Sequence, residues 1–411
     1  MRMRAVAVLC VVLFLVVGSS ATTTYTVLYS FQGSPNDGAQ PWDIGGALVR
    51  DASGNLFGTT QAGGYEVCQG VALQTGTVFE LSGSTETDLF NFTGCGVYGI
   101  SPTGNVARDS SGNIYGTTQD GGSYGGGNVW ELSSSGLTVL HEFGLNGSES
   151  SPYAGVILDG NGNIYGTAAL GSQNQGNYGA VWEISSGIYS ALYTFTGGND
   201  GANPYGGLVM DGQGNLYGTT AFGGANGQGT VFKLTNSGGV WTETVLHSFQ
   251  NVNPMDGQQP YFASLTLAGN PLGNVIYGVT KYGGSAGNGT AFKLAKSKKG
   301  YKFSLLHSFT RTAGDGGLPF GTLLLYKGKL YGTTEAGGNA GDWGTVFELA
   351  SGKTGWTETI LCNFTGAADG GSPIAGLTAD SKGNLYGLAR DGGIVNSSCA
   401  YGCGVIFKVK P

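Results

Sequence analysis

Short β-prone runs, each bounded by Gly, Asn, Asp or Pro, follow one another along most of the chain. Residues 199–249 show the pattern in full, with the runs GGLVM, NLYGTT, GTVFKL and TVLHSF in that order. β-Branched and aromatic residues favour strands, and no stretch carries the 3.6-residue period of a helix. The pattern therefore predicts four short strands per unit and an all-β fold.

The unit recurs seven times, as an alignment on the aromatic residue of GNLYG shows. The copies are spaced by 50 to 60 residues, and their aromatic positions are Phe57, Tyr115, Tyr165, Tyr217, Tyr277, Tyr331 and Tyr386. Four strands in each of seven units predict a seven-bladed β-propeller of four-stranded antiparallel blades. A parallel β-helix needs a much shorter period, and a helical solenoid needs helical periodicity.

The two ends of the repeat array are complementary. Residues 24–31 (TYTVLYSF) read as a fourth strand with no blade before it, and residues 404–409 (GVIFKV) read as a third strand with no fourth strand after it. Pairing the N-terminal strand onto the last blade would complete that blade and remove an open sheet edge. We therefore predict that the N-terminal strand closes the ring.

The motifs GNLYGTT, GTVFKL and TVLHSF recur in order, and in this the chain resembles the GloVer tandem-repeat family of exported bacterial proteins. The resemblance covers essentially all of the mature chain. It implies a repeat protein at the cell surface or outside the cell, with no known catalytic activity. Relatives often end in a sorting or anchoring segment, and none follows Lys410, which favours free secretion or residence in the periplasm.

The N-terminus reads as a secretory signal peptide. Arg2 and Arg4 form a basic region, residues 5–17 are apolar, and small residues lead to Ala21. The apolar run is too short to span a bilayer, so cleavage after Ala21 is expected. The predicted organisation is a signal peptide at 1–21 and a single seven-bladed propeller domain at 22–411, secreted to the extracellular space or the periplasm.

The charge of the mature chain bears on its partners. Without Arg2 and Arg4, 17 of the 19 basic residues remain against 26 acidic ones, a net charge of −9. Such a chain has no electrostatic footprint for nucleic acid or anionic lipid. No second long apolar run follows, so no membrane insertion is expected, and the protein is expected to be a monomer that binds a glycan or protein partner.

Most motifs that suggest chemistry are better explained as turns. Five units read DxxGN between the first two strands, and the copy at 159–163 resembles the start of a calcium loop. An EF-hand would need Gly at the sixth position and Glu at the twelfth, where the chain has Ile164 and Leu170. Two G-x-S-x-G segments, at 121–125 and 283–287, lie in loops whose glycines recur elsewhere without serine, so no nucleophile elbow is expected.

The three histidines occupy equivalent places in different units. His141, His247 and His307 share one offset in the fourth strand. Equivalent positions on different blades cannot converge on one metal ion or one substrate atom, so neither a zinc site nor a catalytic triad is predicted from them. The sequence indicates no catalytic residue, no metal ligand set and no resident cofactor, although its repeated carboxylates could hold a calcium ion.

Five cysteines remain in the mature chain. Cys68 and Cys95 fall in adjoining loops of one face, and Cys399 and Cys403 share a loop. Disulfides Cys68–Cys95 and Cys399–Cys403 are predicted for an oxidising compartment, leaving Cys362 as a packed free thiol.

The best candidate site is the turn that enters the innermost strand. Five units read DGxxP there, beginning at Asp37, Asp200, Asp256, Asp315 and Asp369. The residue after the proline is aromatic in five units and Thr103 or Ile374 in the others; the aromatic residues are Trp42, Tyr153, Tyr205, Tyr261 and Phe320. If the first strand lines the channel, carboxylates and aromatic rings would surround one mouth of the pore and suit a sugar or a calcium ion. Turn formation and wedge filling between blades explain the same residues without a ligand.

Three functions follow from these patterns. The leading hypothesis is an exported non-catalytic propeller that binds a ligand or partner, such as a glycan, on its loop-rich face. The first alternative is a propeller hydrolase or lyase acting on a polysaccharide or ester through Asp or Glu at the channel mouth, with or without calcium. The second alternative is a purely structural module of the cell surface. Propellers host many activities, so the fold alone does not choose between them.

Overall fold

A computed structural model describes residues 23–35, 37–43, 46–64, 66–68, 71–73, 75–92, 97–171, 176–250, 256–339 and 341–411. The predicted signal peptide at 1–21 lies outside these ranges. Seven antiparallel sheets, each of four or five strands, follow one another along the chain. The predicted seven-bladed propeller is confirmed. In the described part of the chain, no helix is long and apolar enough to cross a membrane.

Each blade is numbered here in chain order, with its strands given from the innermost to the outermost. Blade 1 contains Gly38–Pro41, Val49–Arg50, Leu56–Gly63, Thr77–Ser82 and Thr85–Asn91, and blade 2 contains Ala107–Arg108, Ile114–Thr118, Asn128–Ser133 and Gly136–Glu142. Blade 3 contains Ile157–Leu158, Ile164–Ala168, Ala180–Ser185 and Ile188–Thr194, and blade 4 contains Val209–Met210, Leu216–Thr220, Thr230–Ser237 and Val240–Ser248. Blade 5 contains Thr266–Ala268, Val275–Thr280, Thr290–Ser297 and Gly300–Ser308.

The last two blades and two small elements complete the fold. Blade 6 contains Gly316–Pro319, Leu324–Tyr326, Lys329–Gly337, Thr345–Gly352 and Gly355–Asn363, and blade 7 contains Thr378–Ala379, Leu385–Ala389, Val405–Lys410 and Thr24–Ser30. A hairpin of Glu66–Cys68 and Val71–Leu73 and a 3₁₀ turn at Leu145–Gly147 lie outside the blades. In blades 1 and 6 the innermost place is shared by two short segments that pair with the same long strand.

The N-terminal strand closes the ring. Thr24–Ser30 pairs antiparallel with Val405–Lys410, with Tyr25 opposite Val409 and Val27 opposite Phe407. The outermost strand of blade 7 therefore comes from the opposite end of the chain, and the sheet edge of the last blade is covered. This is the closure that the sequence predicts.

The core is divided among the seams, a term used here for the interfaces between neighbouring blades. In the GNLYGTT strand of blade 4, Leu216 packs with Tyr165 and Phe195 in the 3–4 seam, whereas Tyr217 packs with Phe249 in the 4–5 seam. Successive residues of a strand point to opposite faces of the sheet, so one strand supplies two seams. The recurring motif is therefore a packing unit.

A glycine in the same motif makes room for an aromatic ring on the third strand of the blade. Gly166 lies opposite Trp182 on the neighbouring strand, and a Cβ atom at Gly166 would lie 2.3 Å from Cζ2 of the indole. Gly218 lies opposite Phe232 in the same way, with 2.6 Å to Cζ. Glycine in a strand interior weakens the strand unless something must approach closely, and here an aromatic ring does.

The fourth strand of every blade carries a bulge at the same place. In blade 4 the pairing shifts between Val231, which faces His247, and Phe232, which faces Val245. The corresponding shift is present in the other six blades. A bulge re-aims the side chains that follow it. The residues at the His247 position then meet the loops that connect one blade to the next.

Candidate functional site

One residue follows the GTT segment in each blade, a segment that reads GTA, GVT and GLA in blades 3, 5 and 7. In chain order these residues are Gln61, Gln119, Ala169, Ala221, Lys281, Glu335 and Arg390. Five of them are polar, and all five line one pocket together with residues of the innermost segments. Because six of the seven blades contribute, the pocket lies where the blades converge. It is called the axial pocket below.

The axial pocket has a volume of about 400 Å³. Its described lining consists of Trp42, Gln61, Thr103, Gln119, Tyr153, Phe262, Lys281, Phe320, Glu335 and Arg390. This volume falls in the range of small-molecule sites, and apolar walls with a few convergent polar groups are typical of such sites.

Aromatic rings form the apolar wall of the pocket. Trp42, Tyr153 and Phe262 pack against a buried cluster of Ala154, Phe320 and Ile374. The rings of Phe262 and Phe320 stack with their centroids 4.9 Å apart, and Phe262 lies 5.7 Å from Tyr153. The predicted aromatic residues of blades 1, 3 and 6 are thus brought together at the axis.

Phe262 is the aromatic residue that the sequence pattern misses. Blade 5 has one residue more between Pro260 and Leu265 than blade 4 has between Pro204 and Leu208, so the position after the proline is not the one that faces the pocket. Counting back from the buried Leu instead of forward from Pro would have selected Phe262.

Tyr205 and Tyr261, the remaining predicted aromatic residues, continue this cluster beside the pocket. Their rings stack at 4.6 Å, and Tyr205 lies 5.1 Å from Tyr153 and 5.2 Å from Phe262. They support the wall of the pocket from blades 4 and 5 rather than forming part of its described lining.

The polar groups of the pocket are distributed unevenly around the axis. On the side of blades 5 to 7, the Nζ atom of Lys281 lies 2.8 Å from Oε2 of Glu335, and Nη1 of Arg390 lies 3.8 Å from Oε1 of the same carboxylate. Lys281 also lies over the ring of Phe320 and Arg390 over that of Trp42, at 4.5 and 5.1 Å from the centroids. Gln61 and Gln119 supply neutral amides from blades 1 and 2. Since the scaffold repeats and these side chains do not, the site breaks the symmetry of the ring.

The five predicted aspartates do not join the axial set. Asp37 accepts hydrogen bonds from the hydroxyl of Tyr29 and the backbone N–H of Gln32, at 2.8 and 2.7 Å. Asp256 likewise meets His247 at 2.7 Å and accepts from the N–H of Gln250 at 3.0 Å. Asp200, Asp315 and Asp369 make the same type of contact with the N–H that follows the outer strand. Each carboxylate folds its loop back onto the outermost strand of the preceding blade, so it lies in a seam and not at the channel mouth.

Two overlapping segments of the chain, residues 15–175 and 151–407, match the sequence model of the Gloeobacter/Verrucomicrobia repeat. The chain belongs to this repeat family. The resemblance inferred from the recurring strand motifs is thereby confirmed. No curated protein matches the chain significantly.

Three solved structures are similar to this Gloeobacter/Verrucomicrobia repeat protein at low sequence identity. A candidate oxidoreductase (glucose dehydrogenase) of Thermus thermophilus is 14% identical, with a TM-score of 0.42 over 94% of this chain and 100% of that chain. A candidate 6-phosphogluconolactonase of Bacteroides uniformis is 11% identical, with a TM-score of 0.44 over 77% and 86%. PorZ, a bacterial surface component of the type IX secretion system of Porphyromonas gingivalis, is 12% identical, with a TM-score of 0.50 over 92% and 47%. At 12% identity, the likeness to PorZ shows the fold alone.

The axial pocket of the repeat protein contains one carboxylate among its described residues, Glu335, and this carboxylate is ion-paired with Lys281. Glycosidase chemistry relies on two carboxylates that flank the scissile bond. Carboxyl groups do come close together elsewhere in the protein, but they do so in the seams.

Asp43 is a separate case, because it follows Trp42 in the chain and is 1% exposed. Burial raises its pKa to about 7, and it meets the N–H and the hydroxyl of Thr59 at 3.3 and 3.2 Å.

Histidines and carboxylates of the repeat protein meet in the seams, and the three histidines occupy three different seams. In the 5–6 seam, Nε2 of His307 lies 3.1 Å from Asp315 and 3.6 Å from Glu358. Burial, together with a hydrogen bond to Asp315, raises the pKa of Glu358 to about 9. Burial alone would raise the pKa of Asp315, but hydrogen bonds from His307, Glu358 and Thr310 lower it overall. Glu358 is therefore the protonated partner of the pair and donates to Asp315.

This pair predicts a pH dependence of stability. The folded-state pKa of Glu358 is raised to about 9. The protonated side chain therefore contributes its full stabilisation below the pKa of the unfolded chain, and this stabilisation is lost as the pH rises towards 9. Glu358→Gln keeps a neutral donor, so the variant should match the wild type near pH 5. At pH 9 the free energy of unfolding of Glu358→Gln should exceed that of the wild type by about 2 kcal/mol or more. Urea unfolding at both pH values measures this, and an equal loss in both proteins would contradict the assignment.

The remaining sequence predictions have different outcomes. In the DxxGN turn of blade 4, Asp211 accepts from the backbone N–H of Asn215 at 3.0 Å and from its side-chain amide at 2.7 Å, so the motif forms the expected turn. The disulfide Cys399–Cys403 is present, and Cys362 is a half-buried free thiol. The predicted pair Cys68–Cys95 lies outside the described side chains.

Proposed function

We propose that the protein is an exported, non-catalytic propeller that binds a glycan by holding one saccharide unit in the axial pocket. The observation that carries the proposal is the combination, at one place, of an aromatic wall with polar side chains that the repeat does not require. A scaffold position would follow the repeat, as the buried Leu and Gly positions do. The residues after GTT instead vary between amide, cation and carboxylate.

The aromatic wall suits the apolar face of a sugar ring. Trp42, Tyr153 and Phe262 are half-buried and present ring surface to the pocket, and sugar C–H groups pack favourably against the electron-rich face of an aromatic ring. The rings are held by one another and by Ile374, so little side-chain freedom would be lost when a ligand binds.

The polar groups supply both kinds of hydrogen-bonding partner for sugar hydroxyls. Gln61 and Gln119 each offer an amide donor and an acceptor, while Glu335 accepts and Lys281 donates. Because the charged groups lie on one side and the amides on the other, a bound ring would have one preferred orientation. The Lys281–Glu335 contact also keeps these charges partnered when no ligand is present.

The disulfide supports the proposal that the protein is exported. A disulfide between Cys399 and Cys403 persists in oxidising surroundings such as the periplasm or the extracellular space. Polysaccharides and surface glycans are abundant in both places. We infer that the signal-like segment at 1–21 directs the chain there.

A glycan array with the purified protein tests the proposal, followed by titration of the best ligand. Trp42→Ala and Gln119→Ala should each raise the Kd about tenfold or more. Tyr401→Ala is the matched control, because Tyr401 is 73% exposed and lies outside the pocket lining, and its Kd should equal that of the wild type. If no glycan binds, or if binding is unaffected by both pocket variants, the proposal fails and the purely structural alternative gains.

A further inference from the structure

The 7–1 seam holds three carboxyl groups close together. Asp37 comes from the loop that enters blade 1, and Glu86 and Asp88 come from the outermost strand of blade 1. One ligand oxygen of each carboxyl group lies within 4.8 Å of those of the other two. Tyr29 of the outermost strand of blade 7 donates to Oδ2 of Asp37, and Thr77 is a hydrogen-bond partner of Asp88.

Asp88 is exceptional within the repeat. It lies opposite Phe79 on the third strand of blade 1, and the residue opposite the equivalent aromatic ring is apolar in all other blades. Those residues are Val27, Val139, Ala191, Val245, Leu305 and Ile360. A carboxylate at a place that six blades fill with an aliphatic side chain needs a compensating interaction.

The hydrogen bonds of the described residues leave one oxygen of each carboxyl group without a partner. Asp37 is 3% exposed, and its Oδ1 atom is buried without a hydrogen-bond partner. Oε1 of Glu86 and Oδ1 of Asp88 are also buried and without a partner. Among the described residues, no Lys, Arg or His forms an ion pair with any of the three carboxylates.

Three carboxylates so close together cannot all be ionised without a counter-charge. Like charges at this separation either retain protons or share a cation. A cation would also give the three unpartnered oxygens a positive charge to bind.

We propose that Asp37, Glu86 and Asp88 bind a calcium ion that links blade 7 to blade 1 beside the N-terminal strand. The set contains only hard oxygen donors, which suit calcium and magnesium rather than zinc or copper. Oxygens that ligate one calcium ion at 2.3–2.6 Å lie at most about 5 Å apart, which matches the cluster. Magnesium prefers a tighter octahedron and retains several waters, so calcium is the better fit.

The 5–6 seam serves as an internal comparison. It has the same loop aspartate and strand glutamate, Asp315 and Glu358, but His307 stands where the 7–1 seam has Tyr29, and Ile360 stands where it has Asp88. The imidazole lies beside both carboxyl groups of that seam. The 5–6 seam thus has an imidazole beside its two acids, whereas the 7–1 seam has a third acid and, among the described residues, no basic residue paired with it.

Thermal unfolding of chelator-treated protein with and without calcium chloride tests the proposal. A hundredfold excess of calcium over its Kd should raise the Tm of the wild type by about 3 °C. Asp88→Val places the residue of blades 2, 4 and 7 at this position and removes one carboxyl group from the seam. Without calcium this variant should melt above the wild type, and calcium should not change its Tm.

Two controls separate the calcium site from other effects. Glu358→Gln and Trp42→Ala should keep the full calcium response, because they alter the 5–6 seam and the axial pocket. Calorimetric titration with calcium should give one site in the wild type and none in Asp88→Val, with a weaker response to magnesium. An unchanged Tm of the wild type, or an equal response of wild type and Asp88→Val, would overturn the proposal without affecting that of glycan binding.

Discussion

Removal of the strand Thr24–Ser30 should abolish the cooperative unfolding transition of the protein. The strand completes blade 7, and its side chains enter two seams: Tyr25 and Val27 pack in the 6–7 seam, and Leu28 and Tyr29 pack in the 7–1 seam. Its loss would expose the edge of Val405–Lys410 and the apolar surface of both seams at once. An unpaired hydrophobic edge is a template for association. A chain that begins at residue 32 should therefore elute as aggregates and bind a hydrophobic dye.

The matched control is a chain that begins at Thr24, which retains the closing strand and should melt like the mature protein. Circular dichroism melts and size-exclusion chromatography compare the two truncations. A peptide with the sequence of residues 24–31, added during refolding of the shorter chain, should restore a monomeric peak. A shorter chain that unfolds at the wild-type temperature would show that the ring does not depend on this closure.

The architecture could be predicted because the number of sequence repeats gives the number of blades, without knowledge of the individual contacts. One motif repeated at a nearly fixed interval sets the number of blades, and the phase of the first and last segments sets the closure. The local residue preferences agree with the overall fold, since turn residues, strand residues and the glycine opposite each aromatic ring all recur together. Such agreement across levels makes a fold readable from one sequence.

The axial pocket was predictable in part. Aromatic residues after the proline are visible in the sequence, and three of them line the pocket. The residues after GTT were not selected, because the motif before them reads as scaffold. Their signal was present nonetheless: in a nearly invariant motif, the one position that changes between amide, cation and carboxylate is the position that the scaffold does not use.

The direction of the aspartate side chains could not be read from the turn. Asp-Gly fixes the course of the backbone, but the carboxylate turns towards whichever donor the preceding outer strand offers. A sequence signal for this exists in retrospect. A Tyr or His precedes the aspartate by seven to nine residues in four seams: Tyr29 and Asp37, Tyr193 and Asp200, His247 and Asp256, and His307 and Asp315.

Truncation of a fully buried indole is the second change with a large expected effect. Trp182 is 0% exposed, and its ring lies 5.7 Å from Phe143 and 6.1 Å from Tyr189 in the 2–3 seam. Gly166 on the neighbouring strand leaves the space that the indole fills. Trp182→Ala would leave a cavity between two β-sheets that cannot collapse independently. The free energy of unfolding should fall by about 3–5 kcal/mol, measured by urea denaturation.

Trp182→Phe tests whether the seven seams are equivalent packing units. Five other blades place Phe at this position, namely Phe79, Phe232, Phe292, Phe347 and Phe407, each opposite the same glycine. The indole Nε1 of Trp182 has no hydrogen-bond partner, so its replacement by a phenyl ring also removes a buried unsatisfied donor. The cost should therefore be about 1 kcal/mol or less, since a smaller ring is offset by the lost polar penalty. If Phe were as damaging as Ala, the seams would be individually fitted interfaces, and the repeat would not describe seven equivalent packing units.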